Sequence, residues 1–408
     1  MRQCALTHRR VGAAVGTTEA SFTAKLRYNV RHLFPHRFPS RLIATTLLAV
    51  AVVSISGCAT LQDWRDENKG IQLTALKAPP GYTVSVLASG MPAARHLVMG
   101  SKGTLFVGSM AGSVYALTMD GATVKQQRVV IKGLTDPSGV AFKNGNLYVA
   151  NRTSIVRFNN IEDNLDNPGA PITVITGLPD KARHDAHAMG FGPDGKLYVS
   201  IGSPCDTCEA VNDEYGVIVR VNPDGSGKEV VARGIRNSVG FDWHPQSKEL
   251  WFTENGADAL GLDKPNDELN RVTKLGENFG FPYCHDRDIA DPEFGKKRAC
   301  SEFTPPAFAL GAHKAALGMR FEPTTAANGE VSMLIARHGS HPPTRVGYDV
   351  VRVLGKMNEP LRMEPFLTGF LQGMSYWGRP VDVLMMADGS VLVSDDLNGA
   401  IYRVARDR

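Results

Sequence analysis

The chain has 408 residues, 43% of them hydrophobic and 21% charged, with a net charge of +4. That composition is globular and large enough for one big core or two modest ones, which excludes a disordered or fibrous chain. Much of the positive excess lies near the N-terminus, in Arg9, Arg10, Arg27, Arg31, Arg37 and Arg41. No later basic patch with interleaved aromatics follows, so no nucleic-acid partner is expected.

Arg31, Arg37 and Arg41 precede an apolar run, Leu42 to Gly57, that is short for a membrane span and fits the hydrophobic region of a signal peptide. The run ends in Ile55-Ser56-Gly57-Cys58, similar to a bacterial lipobox, in which the cysteine is lipidated and becomes the mature N-terminus. Residues 1–57 are therefore expected to be a targeting segment, residues 58–77 a tether and residues 78–408 the folded domain. A start near Val30 would give the segment a more ordinary length. A plain secretory signal or a membrane anchor is the alternative. The expected location is the bacterial periplasm, with the chain lipid-anchored to a membrane through Cys58. In that oxidising compartment Cys205, Cys208, Cys284 and Cys300 are expected to pair locally, 205 with 208 and 284 with 300. A four-cysteine zinc site is the rival, since Cys205-x-x-Cys208 has ligand spacing.

Beyond Gly70 the chain repeats itself. Lys102-Gly103-Thr104-Leu105-Phe106-Val107 is echoed by Asn144 to Val149, Asp194 to Val199, Ser247 to Phe252, Gly329 to Ile335 and Asp388 to Val393. Strands ending in Arg-Phe or Arg-Val follow several of these. Asn-Gly and Asp-Gly between alternating apolar runs are strong hairpin signals. About six such units, with no long amphipathic helix between them, read as the blades of an all-β propeller. Gly81 to Ala88 is a spare N-terminal strand that could complete the last blade. The gap from Asn270 to Ala315 is read as a functional loop, pinned by Cys284 and Cys300.

Unusual polar groups open several blades. His184-Asp185-Ala186-His187 leads into the third, Arg236-Asn237 into the fourth, His313-Lys314 into the fifth and Trp377-Gly378-Arg379-Pro380 into the sixth. Recurrence at one equivalent position points to a shared site on the axis. Several converging arginines suit a ligand with several carboxylates or phosphates. Asn255-Gly256-Ala257-Asp258 could turn backbone carbonyls toward a cation, with Asp258 and Asp267 adding oxygens, a set that suits calcium. A nearby histidine could act as general base.

These blocks, HDAHAMGFGPDGKLYVSIGSPCDTCE, RGIRNSVGFDWHP, LWFTENGAD, NDELNRV, FGFPYCH and GRPVDVLMMADGSVLVSDD among them, together resemble the soluble pyrroloquinoline-quinone (PQQ)-dependent sugar dehydrogenases, most closely the sorbosone dehydrogenase-like branch. The resemblance runs from about Pro79 to Val404. It implies a six-bladed β-propeller with PQQ on its axis and calcium as Lewis acid. It implies oxidation of an aldose or sugar aldehyde, with electrons passed to a quinone or cytochrome acceptor. His184 matches the catalytic base. Arg236, Asn237 and Arg379 match cofactor contacts. Gly256 and Ala257 match the carbonyls that bind calcium, and Asp258 and Asp267 are the further metal candidates.

Three positions depart from the glucose-oxidising members. Arg337-His338-Gly339-Ser340 stands where they have a lysine, and His338, with Arg345 as the alternative, is the candidate cofactor contact there. Val381 replaces a second arginine, and Ser203 an acidic residue. His187 is read as an ordinary loop histidine. A calcium-dependent lactonase-type hydrolase and a non-catalytic binding propeller are the competing functional readings.

Overall fold

The structure, a computed structural model, describes residues 70–180, 183–323, 329–341 and 343–407. The targeting segment, Cys58 and the first part of the tether lie outside the described residues.

Six four-stranded antiparallel sheets follow one another along the chain, each starting with a strand at the axis. These inner strands are Ala94–Met99, Gly139–Lys143, Met189–Phe191, Gly240–Trp243, Ala316–Phe321 and Pro380–Met385. The expected six-bladed all-β propeller is borne out. Blade three gains a short fifth strand, Glu277–Asn278, which runs parallel to Glu229–Arg233. The sixth blade takes its outermost strand from the other end of the chain. Tyr82–Ala88 pairs with Ala400–Arg406, so the spare N-terminal strand closes the ring as the pattern suggested. Part of the expected tether is also built in, since Lys77 bridges to Thr368 and Leu76 packs into the core of the last two blades.

Local chemistry explains the hairpins. Asn144 and Gly145 are the two residues between the paired Lys143 and Asn146, and both have positive φ, 51° and 80°. A two-residue turn of that hand matches the twist of the strands it joins, and Asn-Gly is the pair that adopts it most easily. The second strand of each blade is sandwiched between neighbouring blades and is buried on both faces, as in Leu197–Ile201, Leu250–Glu254 and Val391–Asp395. This is why those strands read as unbroken apolar runs rather than as alternation. Each interface between consecutive blades has its own apolar cluster, for example Phe106 with Val140 and Leu147, and Tyr198 with Phe241 and Phe252.

The blades close tightly on the axis. A Cβ on Gly240 would lie 2.1 Å from the Leu317 carbonyl oxygen of the next blade. We expect Gly240→Ala to cost about 1–3 kcal/mol in denaturant unfolding, the usual range for overpacking against backbone. An unchanged midpoint would show that the blades can part at little cost. Inside this ring, Val239, Leu317 and Val381 form a small apolar cluster of their own.

Both expected disulfides are present, Cys205–Cys208 and Cys284–Cys300. The first closes a loop in blade three. The second pins the long excursion between the third and fourth strands of blade four.

Candidate active site

In a propeller the segment leading into each inner strand lies beside the axis, so side chains there converge. They enclose a cavity of about 620 Å³, within the range of cofactor and substrate pockets. His184, Arg236, Asn237, Gly256, Asp258, Asp267 and His338 all line it, contributed by blades three, four and five. Val239 and Leu317 add apolar side chains to its lining.

His184 Nδ1 lies 3.1 Å from both the carbonyl oxygen and the Oγ of Ser203. Burial first, and the Arg236 charge second, lower its pKa to about 4. The ring is therefore neutral at ordinary pH, and Nε2 is left to accept a proton from the cavity. Were this ring to serve as a general base, the rate it supports should stay level from neutral pH downward and fall only near pH 4. An acid limb near 6.5 would mean that the ring is not held as described.

The arginines do not stand free. Arg236 is almost fully buried, with Nη2 donating to Asp206 Oδ1 at 2.5 Å and to Asp258 Oδ2 at 3.0 Å. Its Nε and Nη1 donate to the carbonyls of Asp206 and Asn255. Arg183 also reaches Asp258, at 3.3 Å. Asn237 Nδ2 donates to Asn255 Oδ1, and Asn255 Nδ2 to the Ala316 carbonyl, which ties blade four to blade five.

A second network lies across the cavity. Asp396 accepts from Arg95 Nη1 at 3.1 Å, Arg379 Nε at 2.9 Å and His338 Nε2 at 3.0 Å. Burial opposes its charge, but His338, Arg95 and Arg379 outweigh burial and hold the carboxyl far below the usual carboxylate range. Burial lowers the His338 pKa against the opposing pull of Asp396, and the ring sits with Nε2 on the ionised carboxylate. Arg379 itself does not line the cavity. It is drawn onto Asp396 and stands behind His338 and Arg95. Arg95, which the sequence reading passed over, does line the cavity, and its buried Nε has no partner. The signal for it was available, because Ala94-Arg95-His96 opens the first blade just as Arg236-Asn237 opens the fourth.

Asp267 is the buried carboxylate of the Gly256 loop. Its oxygens accept the N–H groups of Gly256 at 2.9 Å and Ala316 at 3.1 Å, and burial pushes its pKa up to about 6. Ala257 is fully buried and does not line the cavity. Among the described residues no group of three or more His, Cys, Asp or Glu is arranged to hold a metal ion. A cation here would rest largely on backbone carbonyls.

Two other predicted positions resolve simply. His187 is buried between the carbonyls of Ser200 and Arg152 and takes no part in the cavity. Trp377 does not point to the axis. It packs on Phe370 and Tyr402 in the blade-six core and donates from Nε1 to the Gly369 carbonyl.

Residues 76–407 match the family model described as TrAA12-like. The chain belongs to the TrAA12-like family. The resemblance to the soluble PQQ-dependent sugar dehydrogenases read from its motifs is thereby borne out. An uncharacterized protein of Borreliella burgdorferi is 31% identical over 353 residues, covering 81% of this chain and 91% of that one. A PQQ-dependent sugar dehydrogenase of Hypocrea jecorina is 23% identical over 282 residues, covering 60% of this chain and 65% of that protein. The calcium structure of a Trichoderma reesei protein of carbohydrate-active enzyme family AA12 superposes with a TM-score of 0.72 at 21% identity. That match covers 83% of this chain and 99% of that one, and it speaks for the fold.

Proposed function

We propose that this chain is a quinoprotein dehydrogenase that oxidises an aldose or sugar aldehyde, with His184 as general base. The observation that carries the proposal is the neutral His184, held at Nδ1 by Ser203, on an axial cavity that Arg95, Arg236, Asn237 and His338 also line. The dehydrogenase named among its relatives gives the chemistry its class.

The residues fit an anionic quinone. Arg95 and Arg236 both line the cavity, and their guanidinium charges suit the carboxylates of PQQ. Asn237 and His338 line the same space, Arg236 stands behind Asn255 and Asp258, and Arg379 braces His338 through Asp396. Calcium fits the Gly256 loop in donor chemistry. The carbonyls of Gly256 and Ala257 would hold it, with oxygens from Asp258 and Asp267. Asp267 has a buried charge whose cost a cation would offset. When bound, PQQ supplies a two-electron acceptor and calcium a Lewis acid for its carbonyl.

The protein's own task is then positional and protic. The cavity holds the sugar with its hydroxyl toward His184, and Nε2 takes the hydroxyl proton as the carbon is oxidised. The sorbosone-type resemblance supports an aldose or sugar aldehyde as the substrate. Export by the targeting segment, attachment through the Cys58 lipid and a periplasmic quinone or cytochrome acceptor complete the proposal.

Titrating purified protein with PQQ and calcium, followed by dye reduction with a panel of aldoses and sugar aldehydes, tests it. A saturable absorbance change and sugar-dependent dye reduction are expected. Chelation of calcium should abolish the reduction. A folded protein that binds no quinone would overturn the proposal.

A further inference from the structure

Three separate parts of the cavity hang on one short loop, residues 203–208, closed by the Cys205–Cys208 disulfide. Ser203 O and Oγ both face His184 Nδ1. Oγ gives its single proton to the Cys205 carbonyl at 2.7 Å, and a carbonyl has none to give. Both groups facing Nδ1 are therefore acceptors. Nδ1 must carry the ring hydrogen, and the lone pair must sit on Nε2. Three residues along, Asp206 accepts Arg236 Nε at its carbonyl, at 2.9 Å, and Arg236 Nη2 at Oδ1. The same Oδ1 accepts the Asp258 N–H at 3.2 Å. The Ser203 N–H donates back to the Arg236 carbonyl at 2.8 Å.

We propose that the disulfide loop is the organising element of the site, with Ser203 setting the tautomer of His184 and Asp206 setting Arg236 and the 256–258 loop. Both are positioning residues, since each acts through the group it holds. The inference rests on His184 being the base. It also gives a role to a departure noted in the sequence. This chain meets Nδ1 with an uncharged hydroxyl, and the pull of the Asp206 carboxylate on the ring is outweighed by burial and the Arg236 charge.

Nitrogen NMR of the histidine rings in the cofactor-free full chain reads this without turnover. In the wild-type protein His184 should carry its hydrogen on Nδ1. Ser203→Asp places an opposite charge against the ring and should raise its titration by about one pH unit or more. The acid limb of kcat/KM in the quinone-loaded enzyme should move by the same amount. A residue that merely holds the fold would shift neither. Ser203→Ala, which also removes the Oγ acceptor, should move the Nδ1 resonance and lower kcat by about tenfold. It provides the same test should Ser203→Asp fail to fold. Asp206→Asn should change quinone affinity several-fold, with Cys205→Ser/Cys208→Ser changing it in the same direction. The inference is overturned if the Ser203 variants keep the wild-type ring titration and tautomer. If the ring responds as expected but the loaded wild-type enzyme oxidises no sugar, the loop assignment stands and the assignment of His184 as base fails.

Discussion

Replacing His184 with alanine should lower turnover by about a hundredfold or more while leaving quinone binding nearly unchanged. The two effects separate because His184 faces the cavity from blade three, whereas the groups suited to an anionic cofactor lie on blades one, four and five. The side chain is neutral, so its removal takes away no charge that a carboxylate would have used. The expected result is a normal absorbance titration with PQQ, an unchanged KM for sugar and a depressed kcat. Turnover within a few-fold of wild type would remove His184 from the mechanism. Joint loss of binding and turnover would make it a cofactor contact instead.

Asp396→Ala should strongly destabilise the fold. Arg95 and Asp396 are both nearly buried, and Arg379 and His338 converge on the same carboxylate. Removing one partner of a buried ion pair leaves an uncompensated charge, typically at a cost of about 3–5 kcal/mol. Denaturant unfolding checks this, and a loss below about 1 kcal/mol would show that water reaches Arg95. The pH dependence gives a second check. A carboxylate with a depressed folded pKa stabilises above its unfolded value, near 4, and that stability is lost as pH falls further. The difference between wild type and variant should therefore be full at neutral pH and shrink below about pH 4. The same variant frees Arg379 and Arg95 together, so quinone affinity should change with stability.

The two networks also show what a sequence can reveal. Asn144-Gly145 and Asp194-Gly195 announce hairpins because turn geometry is a local property. The closing strand at Tyr82 was legible because a spare strand and an incomplete last blade are complementary. The cysteine pairing was read from spacing and an expected oxidising compartment, and both bridges are present. His184 and Arg236 line the cavity because residues leading into successive blades converge, whereas His338 was reached only through the family resemblance. The pairing of those residues was not legible. Arg95 and Asp396 are 301 positions apart, and Asp206 meets Arg236 across 30. Nothing local marks such contacts. Arg379 was placed correctly in the fold but one layer too close to the cavity, because its acidic partner could not be seen. Trp377 misled because a large side chain beside the axis looks like a site residue, whereas its volume is needed by the blade-six core. Val381 seemed a missing cationic contact. In the fold it is fully buried against Val239 and Leu317.

That apolar trio has a consequence for where the products of oxidation can go. Where Val239 and Leu317 line the cavity, their side chains offer water no hydrogen-bond partner. On the proposed mechanism, a proton taken up by His184 has a route out past the loops at the mouth, by the path that sugar would use. Proton release, sugar exchange and the approach of an electron acceptor then share one opening. Turnover in such an enzyme would be governed as much by traffic at that doorway as by the chemistry below it.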